Sequence, residues 1–258
     1  MFSRKIRPSV TPEDRQWIEE ALLWFEKEYG ASFLKSVPIL EPTSNFFDRK
    51  FDGTAADAHY LLDKASEVLS VKSRKIDLAF FGYSTQELLK SGVTIHHEAA
   101  LEQDFALGFC EEPTVGHYQI DLEIDQLSNT PLLLTTLVYE LSHLKMVEEE
   151  RIDEPNEYLA DLHGVVFGFG IFMANSIWNF RQWRDNTHQG WHGQKTGFLP
   201  EEMMAYAIAL FQNYQQGSDA WSKHLNRSMF RLFKKNMEYL EETEDEILFP
   251  EANPLKRV

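Results

Sequence analysis

One segment, from residue 129 to residue 147, constrains the fold of this chain more than any other. Asn129 or Thr130, followed by Pro131, predicts that a helix begins there, because capping oxygens and a first-turn proline favour helix starts. Leucines recur along the segment at helical spacing and are expected to be buried together. They are Leu134, Leu137, Leu141 and Leu144. If the leucines are buried, the polar side chains on another side of the same helix lie together. These are Thr136, Tyr139, Glu140 and His143.

Glu140 and His143 have the spacing of two residues in the zinc-protease pattern His-Glu-x-x-His. In that pattern the two histidines lie on one helix face and bind Zn²⁺, while the Glu takes a proton from the metal-bound water. Tyr139 stands here in the position of the first histidine. The segment therefore indicates a metal site in which one ligand has been replaced.

A second segment, residues 157–161, carries the pattern Glu-x-x-Ala-Asp, with which gluzincin-type peptidases supply a third metal ligand. With both motifs, the chain resembles bacterial zincin-like proteins that contain His-Glu-x-x-His. The resemblance extends to residues 167–176 and 197–201, and it covers the chain from about residue 11 to residue 216. It implies a zincin-like fold in which Glu157 binds the metal and Asp161 orients a ligand histidine.

Three hypotheses explain the altered motif. In the preferred one, Tyr139 abolishes zinc binding, and the protein is an inactive pseudopeptidase that needs no cofactor and binds a protein or peptide. The remaining site residues then form a buried hydrogen-bonded cluster. In the second, zinc is retained because the Tyr139 phenolate, or a distant histidine such as His117 or His192, completes the ligand set, and Glu140 is the general base of a metallopeptidase. In the third, the motif match is accidental.

The formal net charge of -16, from 25 basic and 41 acidic residues, restricts the partners of this chain. Nucleic acid is disfavoured because the neutralisation of phosphates requires Lys and Arg, and an anionic membrane surface is disfavoured for the same reason. A basic protein or peptide is electrostatically compatible. The sequence makes no prediction of the oligomeric state.

The remaining composition indicates a cytoplasmic protein. Cys110 is the only cysteine, so an intrachain disulfide is excluded. The first ten residues lack the apolar run of a signal peptide. The longest apolar run, residues 165–174, is about half of what a bilayer crossing requires.

Helices are expected to dominate the chain. Capping residues and apolar periodicity predict helices at 11–30, 53–69 and 129–147, one that begins near residue 155, and two more at 199–216 and 219–240. In the helix that begins near residue 155, Gly164 and Gly168 lie four apart. This spacing predicts the close approach of a neighbouring helix, which we take to be the motif helix.

Strand-like patterns occupy residues 76–81, 106–110 and 115–124, and the last two are expected to pair as an antiparallel hairpin. In 115–124, apolar residues alternate with His117, Gln119, Asp121 and Glu123, which predicts a strand buried on one face only. In zincins such a strand often forms the upper edge of the cleft, where an extended peptide can pair with it.

The sequence therefore predicts a mainly helical α+β protein with a zincin-like metallopeptidase fold. A small antiparallel sheet is expected beside the motif helix. We expect a single domain over residues 1–258, with residues 241–258 as a tail or surface extension.

Overall fold

The structure is a computed structural model that describes residues 6–71, 75–81, 108–153, 156–177, 199–243 and 245–249. These residues form a mainly helical α+β fold with a three-stranded mixed sheet, which confirms the predicted α+β class, whereas the zincin-like fold stays a prediction. The helices are α1 (Pro12–Tyr29), α2 (Ala31–Ser36), α3 (Ala55–Leu69), α4 (Thr130–Glu148), α5 (Glu157–Ile177), α6 (Glu201–Gln215) and α7 (Arg227–Glu242). The strands are β1 (Lys75–Phe81), β2 (Gly108–Thr114) and β3 (His117–Glu123).

The chain divides into two compact units, each assembled from separate stretches of sequence. The helical unit comprises the described residues of Met1–Phe46, Asp161–His188 and Phe198–Val258. The mixed unit comprises those of Phe47–Ala160 and Gln189–Gly197. The single domain expected from the sequence stays a prediction.

The helix starts follow the capping signals of the sequence. The Thr11 hydroxyl oxygen accepts a hydrogen bond of 3.1 Å from the backbone N–H of Asp14. Pro12 follows as the first residue of the helix, as predicted for α1. Thr54 and Asp57 form a reciprocal capping box at the start of α3. Asn129 caps α4, the motif helix, one residue before Thr130. Local side-chain chemistry therefore determines where these helices begin.

β3 is the central strand of the sheet and lies between β1 and β2. It pairs with β2 in antiparallel orientation, which confirms the predicted hairpin. It pairs with β1 in parallel orientation, so the sheet is mixed and the prediction of a purely antiparallel sheet was wrong. β2 also contains Pro113, a residue that sheets tolerate at their edges because it has no N–H to donate.

Two expectations about β3 were wrong. Asp121 and Glu123 are each only 4% exposed, so the second half of the strand is buried on both faces. Burial of both faces requires other elements packed on both sides of the sheet, and no local pattern within the strand specifies them. β3 also does not form the edge of the sheet. Of the described strands on that side, β2 is the outer one.

Helix α5 is interrupted near its middle by a wide, π-type turn at Val165–Phe169. Gly168 has a φ of 93°, and a Cβ placed on it would lie 2.3 Å from the backbone carbonyl oxygen of Pro38. The Gly168 carbonyl in turn accepts the N–H of Leu40 at 2.9 Å. The close neighbour of Gly168 is therefore the segment that follows α2. The prediction that the motif helix approaches Gly168 was wrong.

Among the described helices, α5 is long and apolar enough to cross a membrane. However, 94% of its most apolar window is buried inside the protein. Core helices of soluble proteins pass the same test, so cytoplasmic localisation stays a prediction.

The last predicted helix is divided into two elements, the short turn Ala220–His224 and α7. Leu225 and Asn226 have extended backbone angles, and Asn226 caps α7 by accepting the N–H of Met229 at 3.0 Å. α7 continues to Glu242, so the first residues of the predicted tail are helical. Beyond it, Phe249 is 1% exposed and its ring lies 4.6 Å from that of Tyr214.

Candidate functional site

The motif helix α4 packs against α3 and β2 within the mixed unit. Its leucine stripe is buried as predicted, since Leu134, Leu137 and Leu141 have no exposed surface and Leu144 is 7% exposed. β2 approaches the other side of the helix closely. A Cβ on Gly108 would lie only 2.8 Å from the Thr136 methyl group. The polar side of α4 therefore faces the sheet.

Glu140 lies at this contact and is 6% exposed. Burial raises the pKa of its carboxyl group from the usual 4.5 to about 8, and a hydrogen bond from the backbone N–H of Cys110 lowers this pKa in part. Burial is the larger effect because it removes the water that would stabilise the charged form. At neutral pH the Glu140 side chain is therefore mostly protonated, and it links the motif helix to β2.

His143 lies one turn after Tyr139 on the same helix, and the two rings pack edge to face with centroids 4.7 Å apart. Burial lowers the pKa of His143 from 6.5 to about 4, so its imidazole is neutral at physiological pH. Its Nδ1 atom is buried and has no hydrogen-bond partner among the described residues. A neutral imidazole with one unsatisfied nitrogen is thus present at the second His position of the motif.

Glu157 and Asp161, the residues of the second motif, have different environments on α5. Glu157 is exposed and makes no hydrogen bond or ion pair with any residue that the structure describes, so its expected place in a buried hydrogen-bonded cluster was wrong. Asp161 belongs to the helical unit, where it is fully buried and its Oδ2 atom accepts the backbone N–H of Leu199 at 2.6 Å. The predicted roles, a metal ligand for Glu157 and a positioning residue for Asp161, stay predictions.

The described side chains do not fit a catalytic zinc ion. Such an ion takes three protein ligands and keeps a fourth position for water. Within the described ranges, no group of three or more His, Cys, Asp and Glu side chains is arranged to bind a metal. His117, one proposed replacement ligand, is exposed at the start of β3, and His192 lies outside the described residues. No role at this site is therefore assigned to a zinc ion.

Sequence reasoning missed the environment of three groups of the sheet, the half-buried Cys110 and the buried Asp121 and Glu123. Burial, and then the nearby carboxylates of Glu140 and Asp121, raise the pKa of the Cys110 thiol to about 12, so this cysteine is not a thiolate nucleophile. Asp121 accepts a hydrogen bond of 2.9 Å from the Gln119 amide. Burial, with a smaller effect of Asp125, raises the pKa of Glu123 to about 7. The acidic alternation in β3 was visible, but nothing in it indicated that this face is buried.

A cavity of about 790 Å³ lies elsewhere in the mixed unit, between the segment before α3 and the turn after β3. Its lining includes Phe51, Asp52, Ile124 and Ser128, and no residue of either motif. The motif and the cavity are therefore separate features.

Comparison of this chain with protein-family models, with curated proteins and with solved structures found no match. The resemblance to zincin-like proteins therefore depends on the two motifs and their neighbouring residues alone.

Proposed function

We propose that this protein is a catalytically inactive, zincin-like pseudopeptidase that binds an extended basic segment of another protein along the outer edge of β2. The state of Glu140 carries the proposal. In a working peptidase this residue must be ionised to take a proton from water. Here the carboxyl group is buried against β2, accepts a backbone N–H from Cys110 of that strand, and has its pKa raised by burial to about 8. This arrangement favours a role in holding the strand against the helix.

Two further features support a loss of catalysis. Tyr139 fills the first-ligand position with a ring that packs on His143 instead of a second imidazole. Glu157, the third ligand expected from the resemblance, is exposed and makes no hydrogen bond or ion pair in the described part of the chain. In the proposed function no cofactor is needed, and the protein acts by binding.

The part of β2 that follows Cys110, whose N–H is donated to Glu140, supplies the proposed binding surface, and no other described strand lies on that side of it. Glu111 and Glu112 are exposed on this strand, and Val115 at the hairpin turn is 92% exposed. An edge strand can accept another chain by backbone pairing, while its side chains select the partner. The acidic side chains and the net charge of -16 favour a basic segment over nucleic acid or an anionic membrane.

We expect the hairpin variant Glu111→Lys with Val115→Lys to bind a short peptide of alternating Lys and Val roughly tenfold more weakly than the wild type. Both residues are exposed, so the substitutions remove attraction and apolar contact without disturbing the core. Fluorescence anisotropy with the labelled peptide measures the difference.

A matched control carries Asp63→Lys and Glu67→Lys on the exposed side of α3. It changes the net charge at least as much as the hairpin variant, and we expect it to bind nearly as well as the wild type. If the wild type does not bind the peptide, or the control loses as much affinity as the hairpin variant, β2 is not the binding edge.

A second candidate function is that of a zinc-dependent metallopeptidase with a non-standard first ligand, either Tyr139 or a distant histidine. The buried Nδ1 atom of His143, which has no partner among the described residues, favours it, since neutral imidazoles are common metal ligands. Glu140 would then be the general base. The zinc content of the purified protein distinguishes the two candidates.

A further inference from the structure

The exposed side of the first half of α7 is basic, whereas the exposed residues of its last turns, Glu238, Glu241 and Glu242, are acidic. Within residues 227–235 the chain places exposed side chains at the helical spacing of a single face. We call this set the basic face, and it consists of Arg227, Phe230, Arg231, Lys234 and Lys235. The four basic residues contribute +4 to the net charge of -16, so the rest of the chain carries -20.

The two arginines of this face have no polar partner in the part of the chain that the structure describes. Arg227 and Arg231 make no hydrogen bond or ion pair with any residue in the described ranges. Lys234, in contrast, is paired with Asp219 at 2.5 Å, and Lys235 donates to the carbonyl oxygen of Pro8 at 3.1 Å. Among the described residues, none competes with an external partner for these two arginines, which lie one turn apart.

An apolar side chain lies between the two arginines. Phe230 is 36% exposed, although α7 buries other large apolar residues such as Phe233 completely. The ammonium group of Lys234 lies 5.9 Å from the centre of the Phe230 ring, so charge and apolar surface are adjacent. Arginine and aromatic residues combined in this way are typical of protein interfaces.

We propose that the basic face of α7 is a docking surface for a short acidic segment of another protein, with an apolar residue that covers Phe230. Charge complementarity selects carboxylates, which the planar guanidinium groups of Arg227 and Arg231 bind in bidentate fashion. At physiological salt, electrostatic interactions beyond about 8 Å are screened. The charge of the partner therefore needs to be complementary to this face only. Nucleic acid or a membrane would extend past it and meet the net charge of -20 on the rest of the chain.

The experiment uses the full chain and a labelled short peptide in which Glu alternates with Leu. We expect the double variant Arg227→Glu with Arg231→Glu to bind this peptide at least about tenfold more weakly than the wild type. Phe230→Ala should also weaken binding, whereas added salt should affect the wild type more than the charge-reversed variant. All three positions are exposed, and circular dichroism verifies that the variants are folded.

A matched control, Lys27→Glu with Lys50→Glu, changes the net charge equally at two exposed positions outside α7, and it should bind like the wild type. Single-stranded oligothymidylate and phosphatidylserine vesicles are titrated in parallel. The proposal is overturned if the wild type does not bind the acidic peptide, if charge reversal leaves its affinity unchanged, or if oligothymidylate or the vesicles bind more tightly than the peptide.

Discussion

Replacement of Gly168 by alanine is expected to destabilise the protein by roughly 3–5 kcal/mol. Two effects combine at this position. The φ of 93° is a conformation that L-residues rarely adopt, and the added Cβ would lie 2.3 Å from the carbonyl oxygen of Pro38. Backbone atoms cannot move aside as a flexible side chain does. The hydrogen bond from Leu40 to the Gly168 carbonyl, which fixes the same contact, would be strained as well.

The control for this prediction is Gly116→Ala in the β2–β3 turn. Gly116 also has a positive φ, 76°, but a Cβ there would have no atom within 4 Å. We expect a loss of only about 1 kcal/mol, from backbone strain alone. Urea unfolding followed by circular dichroism measures both variants. Equal losses for the two would mean that the close approach of Pro38 to Gly168 contributes nothing.

The second large effect concerns pH. The pKa of Glu140 is raised in the folded protein from 4.5 to about 8, so folding favours its protonated form. The stability associated with that form is fully present below about pH 4.5 and is lost as the pH rises through about 8. We expect the free energy of unfolding of the wild type to fall by roughly 3–5 kcal/mol between about pH 5 and about pH 9 from this group.

Glu140→Gln should remove most of this dependence. Glutamine stays neutral at every pH, and its carbonyl oxygen can still accept the N–H of Cys110. The variant should match the wild type near pH 5 and exceed its stability near pH 9. Glu157→Gln, at an exposed position, serves as the control and should leave the pH profile unchanged. Residual slopes are expected from two other groups. Glu123, whose pKa is raised to about 7, lowers the stability as the pH rises, and His143, whose pKa is lowered to about 4, raises it up to about pH 6.5. An unchanged slope in Glu140→Gln would show that this carboxyl group is ionised in the folded state.

Local signals predicted the parts of the fold that depend on neighbouring residues in sequence. Thr11, Thr54 and Asn129 determined the starts of α1, α3 and α4, because a capping side chain and its acceptor or donor lie within three residues. The leucine stripe of α4 and the β2–β3 hairpin were predictable for the same reason.

Features that depend on distant segments were not predictable in this way. The parallel pairing of β1 with β3 joins segments about forty residues apart, and it is what places β3 at the centre of the sheet. The approach of Pro38 to Gly168 joins residues still farther apart in the chain. The hydrogen bond between Cys110 and Glu140 required knowledge of which strand faces the motif helix. The sequence therefore indicated the candidate site residues but not the protonation state of the most informative one.

Zinc content tests the central claim most directly. The protein is purified without chelators or added metal, and its bound zinc is measured by metal mass spectrometry after gel filtration. We expect far less than one zinc ion per chain, because Tyr139 replaces the first ligand and the described His, Cys, Asp and Glu side chains do not form a ligand set. One tightly retained zinc ion per folded chain would contradict the pseudopeptidase proposal and favour a metallopeptidase with Glu140 as its base.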